Sequence, residues 1–136
     1  MIDSKNQSIN IDPNISDFTI DKYHELLVLA KKNYNFISYK NIDYKQKFIL
    51  WRHDCDFSLN RALKLAELEK KENIFTTYFI NLHSEFYNLF EKEQSKIIKQ
   101  IINLGHYIGI HFDTNYYDIK SEEDLNKWLV FEKNIF

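Results

Sequence analysis

Cysteine occurs once in this sequence, at Cys55, proline once, at Pro13, and glycine only twice. One thiol excludes an intrachain disulfide. So few glycines and prolines exclude a flexible linker between domains, and no internal repeat is visible. Long hydrophobic runs are missing too. No apolar segment approaches the roughly 18 to 20 residues that span a bilayer, and the opening MIDSKNQSIN lacks the basic region and apolar stretch of a secretion signal. The expectations are therefore no membrane span and a cytoplasmic address. An excess of one charge is also lacking: 18 basic against 20 acidic residues give a formal net charge of -2, with no basic stripe for a nucleic acid or a membrane surface. What the chain does have is apolar mass. Over 136 positions, 44% are hydrophobic and 16% aromatic, enough for one core and about one domain.

Residues 1 to 16 are polar, rich in Asn, Asp and Ser, and carry Pro13, which predicts a loosely held lead-in to a single domain over residues 17 to 136. From about Asp17 to Asn33, Phe18, Tyr23, Leu26, Leu27, Leu29 and Ala30 recur at helical spacing and predict an amphipathic helix packed on the core. Phe48 to Trp51 form a short apolar run that reads as a strand buried on both faces. His53, Asp54, Cys55 and Asp56 then read as a turn, and Ser58 takes the N-cap position before Leu59, Ala62, Leu63 and Ala66. IFTTYFINL, Ile74 to Leu82, is rich in β-branched and aromatic residues and predicts a second strand. Glu93 to Leu104 places Ile97, Ile98, Ile101 and Ile102 on a helix stopped by Gly105. HYIGIHF reads as a third strand, and a Ser121 to Asp124 capping pattern opens a last helix. Strands alternating with helices predict a parallel α/β sheet with helices outside it, open or closed into a barrel, and its chemistry belongs at the carboxyl ends of the strands.

That edge is where the polar residues fall. Asp54 and Asp56 follow the first strand, His83 follows the second and His111 ends the third. Two carboxylates two positions apart do not both stay ionised at close range without a cation or a proton, and a carboxylate with an imidazole is a common first shell for zinc and related divalent ions. The second carboxylate is then free to act as a general base. The competing reading has one aspartate capping the following helix and the other solvated. His111 also fits a half-buried structural histidine, His83 a solvated loop residue, and His106, just after Gly105, a packing or helix-end role. Cys55, between two carboxylates that raise its pKa, reads as a small packing residue rather than a nucleophile.

LWRHDCDFSLNRALKLAELEKKENIFTTYFI followed by LGHYIGIHFD resembles the polysaccharide deacetylase superfamily, the NodB-like carbohydrate esterases, in its RHDxD branch; the likeness runs from about Lys47 to Asp113. The resemblance implies a distorted (β/α) barrel, here partial, with parallel strands and outer helices. It implies a divalent metal, zinc first with cobalt or manganese as alternatives, and removal of acetyl groups from N-acetylated sugars or glycans. It also implies Asp54 as general base, Asp56 and His111 as metal ligands, and Arg52 and His53 as members of the same motif, His53 orienting the aspartates. The family's second histidine comes four residues after the first, and that position is Asn115 here. Asp113 and His83 are then the candidates to line the site in its place. The chain also stops at Phe136, before the family's later motifs. A truncated remnant, a binding module and an oligomer-dependent half-domain therefore stand beside the hydrolase, the last implying a homo-oligomer, because open edges of a parallel sheet are usually covered or paired.

Overall fold

The computed structural model describes residues 18 to 136, so the lead-in expected over residues 1 to 16 lies outside the described residues. The elements run α1 (Ile20–Asn33), β1 (Asn35–Phe36), β2 (Phe48–Ile49), β3 (Arg52–Cys55), α2 (Leu59–Lys71), β4 (Thr77–Ile80), α3 (Lys92–Asn103), β5 (Tyr107–Ile110) and α4 (Glu122–Ile135). Strands β1 and β2 pair in parallel, and β3, β4 and β5 form a second parallel sheet in that order. The chain is thus a mixed α/β protein with all its strand pairs parallel among the described residues. No helix among them is long and apolar enough to cross a membrane.

Local chemistry sets the ends of these elements. The hydroxyls of Thr19, Ser58 and Ser121 accept from the amides of Lys22, Arg61 and Asp124, satisfying donors that the first helical turn leaves open. Helix α3 stops where Gly105 turns to φ +101°, a conformation that costs a side-chain-bearing residue a steric clash. Core packing follows the helical period in α2, where Leu59, Ala62, Ala66 and Glu69 are buried, and in α3 through Ile97 and Ile101. These residues close over Cys55, Tyr78 and Ile80 on one face of the sheet.

Sequence expectations change in two places. In α1, Leu27 and Ala30 are buried but Leu26 and Leu29, and Phe18 just before the helix, are exposed; only the stripe continuing from Tyr23 faces the protein, so the apolar face is narrower than the run of leucines suggests. The expected strand Phe48 to Trp51 and the turn after it also change: only Phe48 and Ile49 form a strand, half-buried and paired with β1 in the other sheet, while His53 to Cys55 lie within strand β3, with Arg52 to Cys55 opposite Thr77 to Ile80. Backbone pairing continues there because the polar side chains find partners on both faces, as shown below.

Register divides the β3–β5 sheet cleanly. His53, Cys55, Tyr78 and Ile80 share the helical face, while Arg52, Asp54, Phe79 and Gly109 share the other. On that second face the Arg52 guanidinium lies 4.0 Å from the centre of the Phe79 ring, and a Cβ on Gly109 would stand 2.8 Å from the same ring. Gly109 is therefore what lets Phe79 lie flat enough to carry Arg52. Gly109→Ala is expected to cost about 1 to 3 kcal/mol through overpacking. Part of that loss should return in Gly109→Ala/Phe79→Leu. Urea midpoints of the two variants check this, and an unchanged midpoint for the single variant would remove the steric argument.

Candidate active site

Strand β3 presents Asp54 on the face away from the helices, and the chain carries Asp56 one residue past the strand. His111 follows β5, its amide still paired to the Ile80 carbonyl at 2.8 Å. The site therefore rests on backbone that the sheet holds at the carboxyl ends of β3 and β5. His111 Nδ1 lies 2.7 Å from Asp56 Oδ1, and His111 Nε2 lies 3.8 Å from Asp54 Oδ2. One imidazole thus stands between the two carboxylates. The three side chains are 32% to 40% exposed, so water reaches all of them and screens their mutual attraction.

Arg52 holds Asp54 from the other side. Its Nε and Nη2 both donate to Asp54 Oδ1, at 2.9 and 2.5 Å, and that hydrogen bond raises the guanidinium pKa above its ordinary value. With Oδ1 taken, Oδ2 is the oxygen that faces His111. The loop after β4 holds the backbone that carries the other carboxylate: Ser84 Oγ donates to the Asp56 main-chain carbonyl at 2.7 Å, and the Tyr87 hydroxyl donates to the Cys55 main-chain carbonyl at 2.5 Å. Cys55 itself is buried. Burial first, then Asp56 and Asp54, push its thiol up to about 12, which keeps it protonated and unreactive, as the sequence suggests.

The other sequence-predicted residues are engaged elsewhere. His53 turns to the helical face, where Nε2 meets Glu69 Oε1 at 2.6 Å and the ring stacks on Tyr78 at 4.6 Å; Arg52, not His53, is hydrogen-bonded to Asp54. His83 also leaves the carboxylates. Its Nε2 lies 2.7 Å from the Tyr117 hydroxyl and 3.0 Å from Glu132 Oε1, and its ring stacks 3.6 Å above Tyr116. Asp113 Oδ1 accepts from the Asn115 amide at 2.9 Å, and Asn115 is exposed. His106 is buried and neutral: the Thr76 amide donates to Nδ1 at 3.2 Å, so Nε2 carries the proton it gives to the Ala66 carbonyl at 2.9 Å. Burial lowers its pKa. This is a packing role, with the carbonyl supplied by α2 rather than by the end of α3.

Sequence reasoning missed Glu69 and Glu132. Glu69 is wholly buried and accepts from Tyr23, from Thr76 Oγ1 at 2.7 Å, from the Tyr78 hydroxyl at 2.7 Å and from His53. Burial alone would raise its pKa, but His53, Tyr23 and Thr76 together bring it below the ordinary glutamate value. Glu132 is 1% exposed, with Oε2 lacking a hydrogen-bond partner. A signal for Glu69 exists in the spacing, since Leu59, Ala62, Ala66 and Glu69 follow one buried stripe of α2.

Asp56 Oδ1 and His111 Nδ1, hydrogen-bonded to each other at 2.7 Å, are an oxygen and a nitrogen of the kinds that divalent cations take. Among the described residues no three His, Cys, Asp or Glu side chains are gathered around one point for an ion. The reason is geometric, because Asp56 and Asp54 address opposite nitrogens of His111. Two such donors are one fewer than the three protein ligands of a catalytic zinc site. Compared with family models, with curated proteins and with solved structures, the chain matches none.

Proposed function

We propose that the chain is a metal-dependent hydrolase of the deacetylase type, built on part of a (β/α) barrel and acting on the amide carbon-nitrogen bond of N-acetylated sugars or cell-surface glycan precursors. The observation that carries this reading is the meeting of Asp54, Asp56 and His111, drawn from two strands, around one imidazole. Asp56 and His111 would hold the cation. When bound, zinc, cobalt or manganese supplies Lewis-acid polarisation of the acetyl carbonyl and acidifies water. Asp54 does the proton work: Arg52 occupies Oδ1 and leaves Oδ2 to take a proton from the water whose oxygen attacks the acetyl carbon. The carbon-nitrogen bond then breaks to acetate and amine, the leaving nitrogen taking up the proton that Asp54 accepted. Arg52, carried on Phe79, keeps Asp54 from turning away.

A second reading, a non-catalytic remnant or binding module of the same kind, draws on a specific observation: neither Asn115, Asp113 nor His83 brings a third donor to the pair. Metal binding and acetate release separate the two. Zinc titration should show Asp56→Ala and His111→Ala weakening binding by at least about 10- to 100-fold, the loss already typical of an outer-sphere partner. Acetate release from tetra-N-acetylchitotetraose should require zinc, cobalt or manganese and stop with a chelator. Equal zinc affinity in Asp56→Ala would remove Asp56 from the metal. Bound zinc with no acetate released would favour the remnant.

A further inference from the structure

Strand β5 is the last of its sheet, with β4 on one side and no strand on the other among the described residues. The Tyr107 amide donates to the Thr76 carbonyl at 2.9 Å and the His111 amide to the Ile80 carbonyl at 2.8 Å. Backbone groups of successive residues point to opposite sides of a strand, so the amides and carbonyls of Ile108 and Ile110 point away from β4, and no partner meets them among the described residues. Such a row is a template for another strand. The opposite edge, β3, is guarded by the charges of Arg52 and Asp54, whereas Tyr107 to Ile110 carry none. Apolar side chains also border the open edge: Ile108 lines a groove of about 300 Å³ with Ile102, Ile135 and Phe136, which are 40% to 49% exposed.

We infer that a second copy of the chain adds to this edge, β5 against β5, as antiparallel strands related by a two-fold axis at Gly109. Only an extended backbone offers the alternating donors and acceptors that match Ile108 and Ile110. The β5 of a second copy presents the same open row, and a two-fold axis uses up both rows at once, so the assembly closes as a dimer rather than growing. With Ile108 opposite the partner's Ile110, the two exchange both N–H···O bonds, and Gly109 falls opposite Gly109 in the close, non-hydrogen-bonded position, where Cα atoms stand about 4.5 Å apart. Moving the axis to Ile108 or Ile110 would set the other isoleucine against His106 or Phe112 instead. Opposed residues share a face of the sheet, so the isoleucines stay on the helical side, next to Ile102, Ile135 and Phe136. On the other face the partner's Tyr107, 40% exposed in the single chain, comes opposite His111, the imidazole between Asp54 and Asp56. The second copy thus brings a phenol ring to the rim of the site, whatever reaction is performed there.

Sedimentation equilibrium of the full chain should show reversible association to twice the monomer mass. Amide hydrogen exchange followed by NMR tests the edge itself. The Ile108 and Ile110 amides are expected to slow about tenfold once about nine-tenths of the chain is paired, while those of Tyr107 and His111, already bonded to β4, are protected at every concentration. In a mixture of isotopically labelled and unlabelled chains, filtered NOEs should join the Tyr107 ring of one copy to the His111 ring of the other. Ile110→Pro deletes an amide that points away from β4, a place where an edge strand tolerates proline, and is expected to abolish the dimer with the fold kept, as circular dichroism checks. If that variant does not fold, the exchange and NOE data on the wild type decide alone. A chain that stays monomeric, a dimer whose Ile108 and Ile110 amides exchange as fast as in the monomer, or NOEs that place Tyr107 elsewhere overturns the inference. So does a dimer that survives in a folded Ile110→Pro.

Discussion

On the proposed hydrolytic reading, turnover of an N-acetylated sugar by Asp54→Asn is expected to fall about 100- to 10,000-fold, the usual contribution of a positioned acid-base group. Zinc affinity should stay close to that of the wild type. The substitution keeps the size of the side chain and an oxygen able to accept from Arg52, so the Arg52–Phe79–Gly109 stack has no steric reason to move. What it removes is the basic oxygen on the His111 side, since an amide does not take a proton from water near neutral pH. The separation of functions is the diagnostic. A parallel fall in zinc affinity would mean that Asp54 holds the cation, and full activity would assign the base elsewhere.

Glu69→Ala is expected to cost about 3 to 5 kcal/mol, because it leaves several buried donors without an acceptor at about 1 to 3 kcal/mol each. Against a typical total of about 5 to 15 kcal/mol, that brings the protein near unfolding at ambient temperature. The loss is large because Glu69 serves four donors at once. Without it the hydroxyls of Tyr78 and Thr76 lose an acceptor inside the core, and His53 loses its carboxylate. Glu69→Gln, which retains one accepting oxygen, should lose less. Urea midpoints of the three proteins test this, and a Glu69→Ala midpoint equal to the wild type would mean that the network contributes nothing net.

The same carboxylate sets a pH dependence. The folded-state pKa of Glu69 is below its ordinary value, so its stabilisation is present above the unfolded value of about 4.5 and is lost as pH falls through the folded value. His106 acts in the same direction. Its folded pKa lies below 6.5, so as pH drops under that figure the unfolded chain takes up a proton that the folded one refuses. The wild-type urea midpoint should therefore decline on acidification from about pH 6.5, steepen below about 4.5, and lack the lower-pH portion in Glu69→Gln.

Much of the architecture was legible in local chemistry. Ser58, Ser121 and Gly105 mark ends that the structure keeps, because capping and left-handed φ depend on a few neighbouring atoms. The meeting of Asp54, Asp56 and His111 could also be read in advance, since parallel strands joined by helices bring their carboxyl ends to one edge. The short β1 was not legible, because two residues leave no periodicity to detect. Nor was β3 itself, Arg52 to Cys55, where polarity suggested a turn and cross-strand pairing with β4 prevailed.

Alternation along β3 puts His53 and Asp54 on opposite faces, but nothing in the local sequence says which of them meets the helices. That is decided by Glu69, 16 residues away, and by Tyr23, 30 residues away, whose side chains make a polar pocket for the imidazole. His83 is likewise assigned by Glu132, 49 residues on, rather than by the strand it follows. The sequence by itself determined the parallel α/β layout, the helix ends and the edge carrying the carboxylates, because each follows from period, capping and chain direction. Only the tertiary structure decided which histidine joins the carboxylates and which stay in buried networks, because a side chain's partner depends on residues brought together from distant parts of the chain.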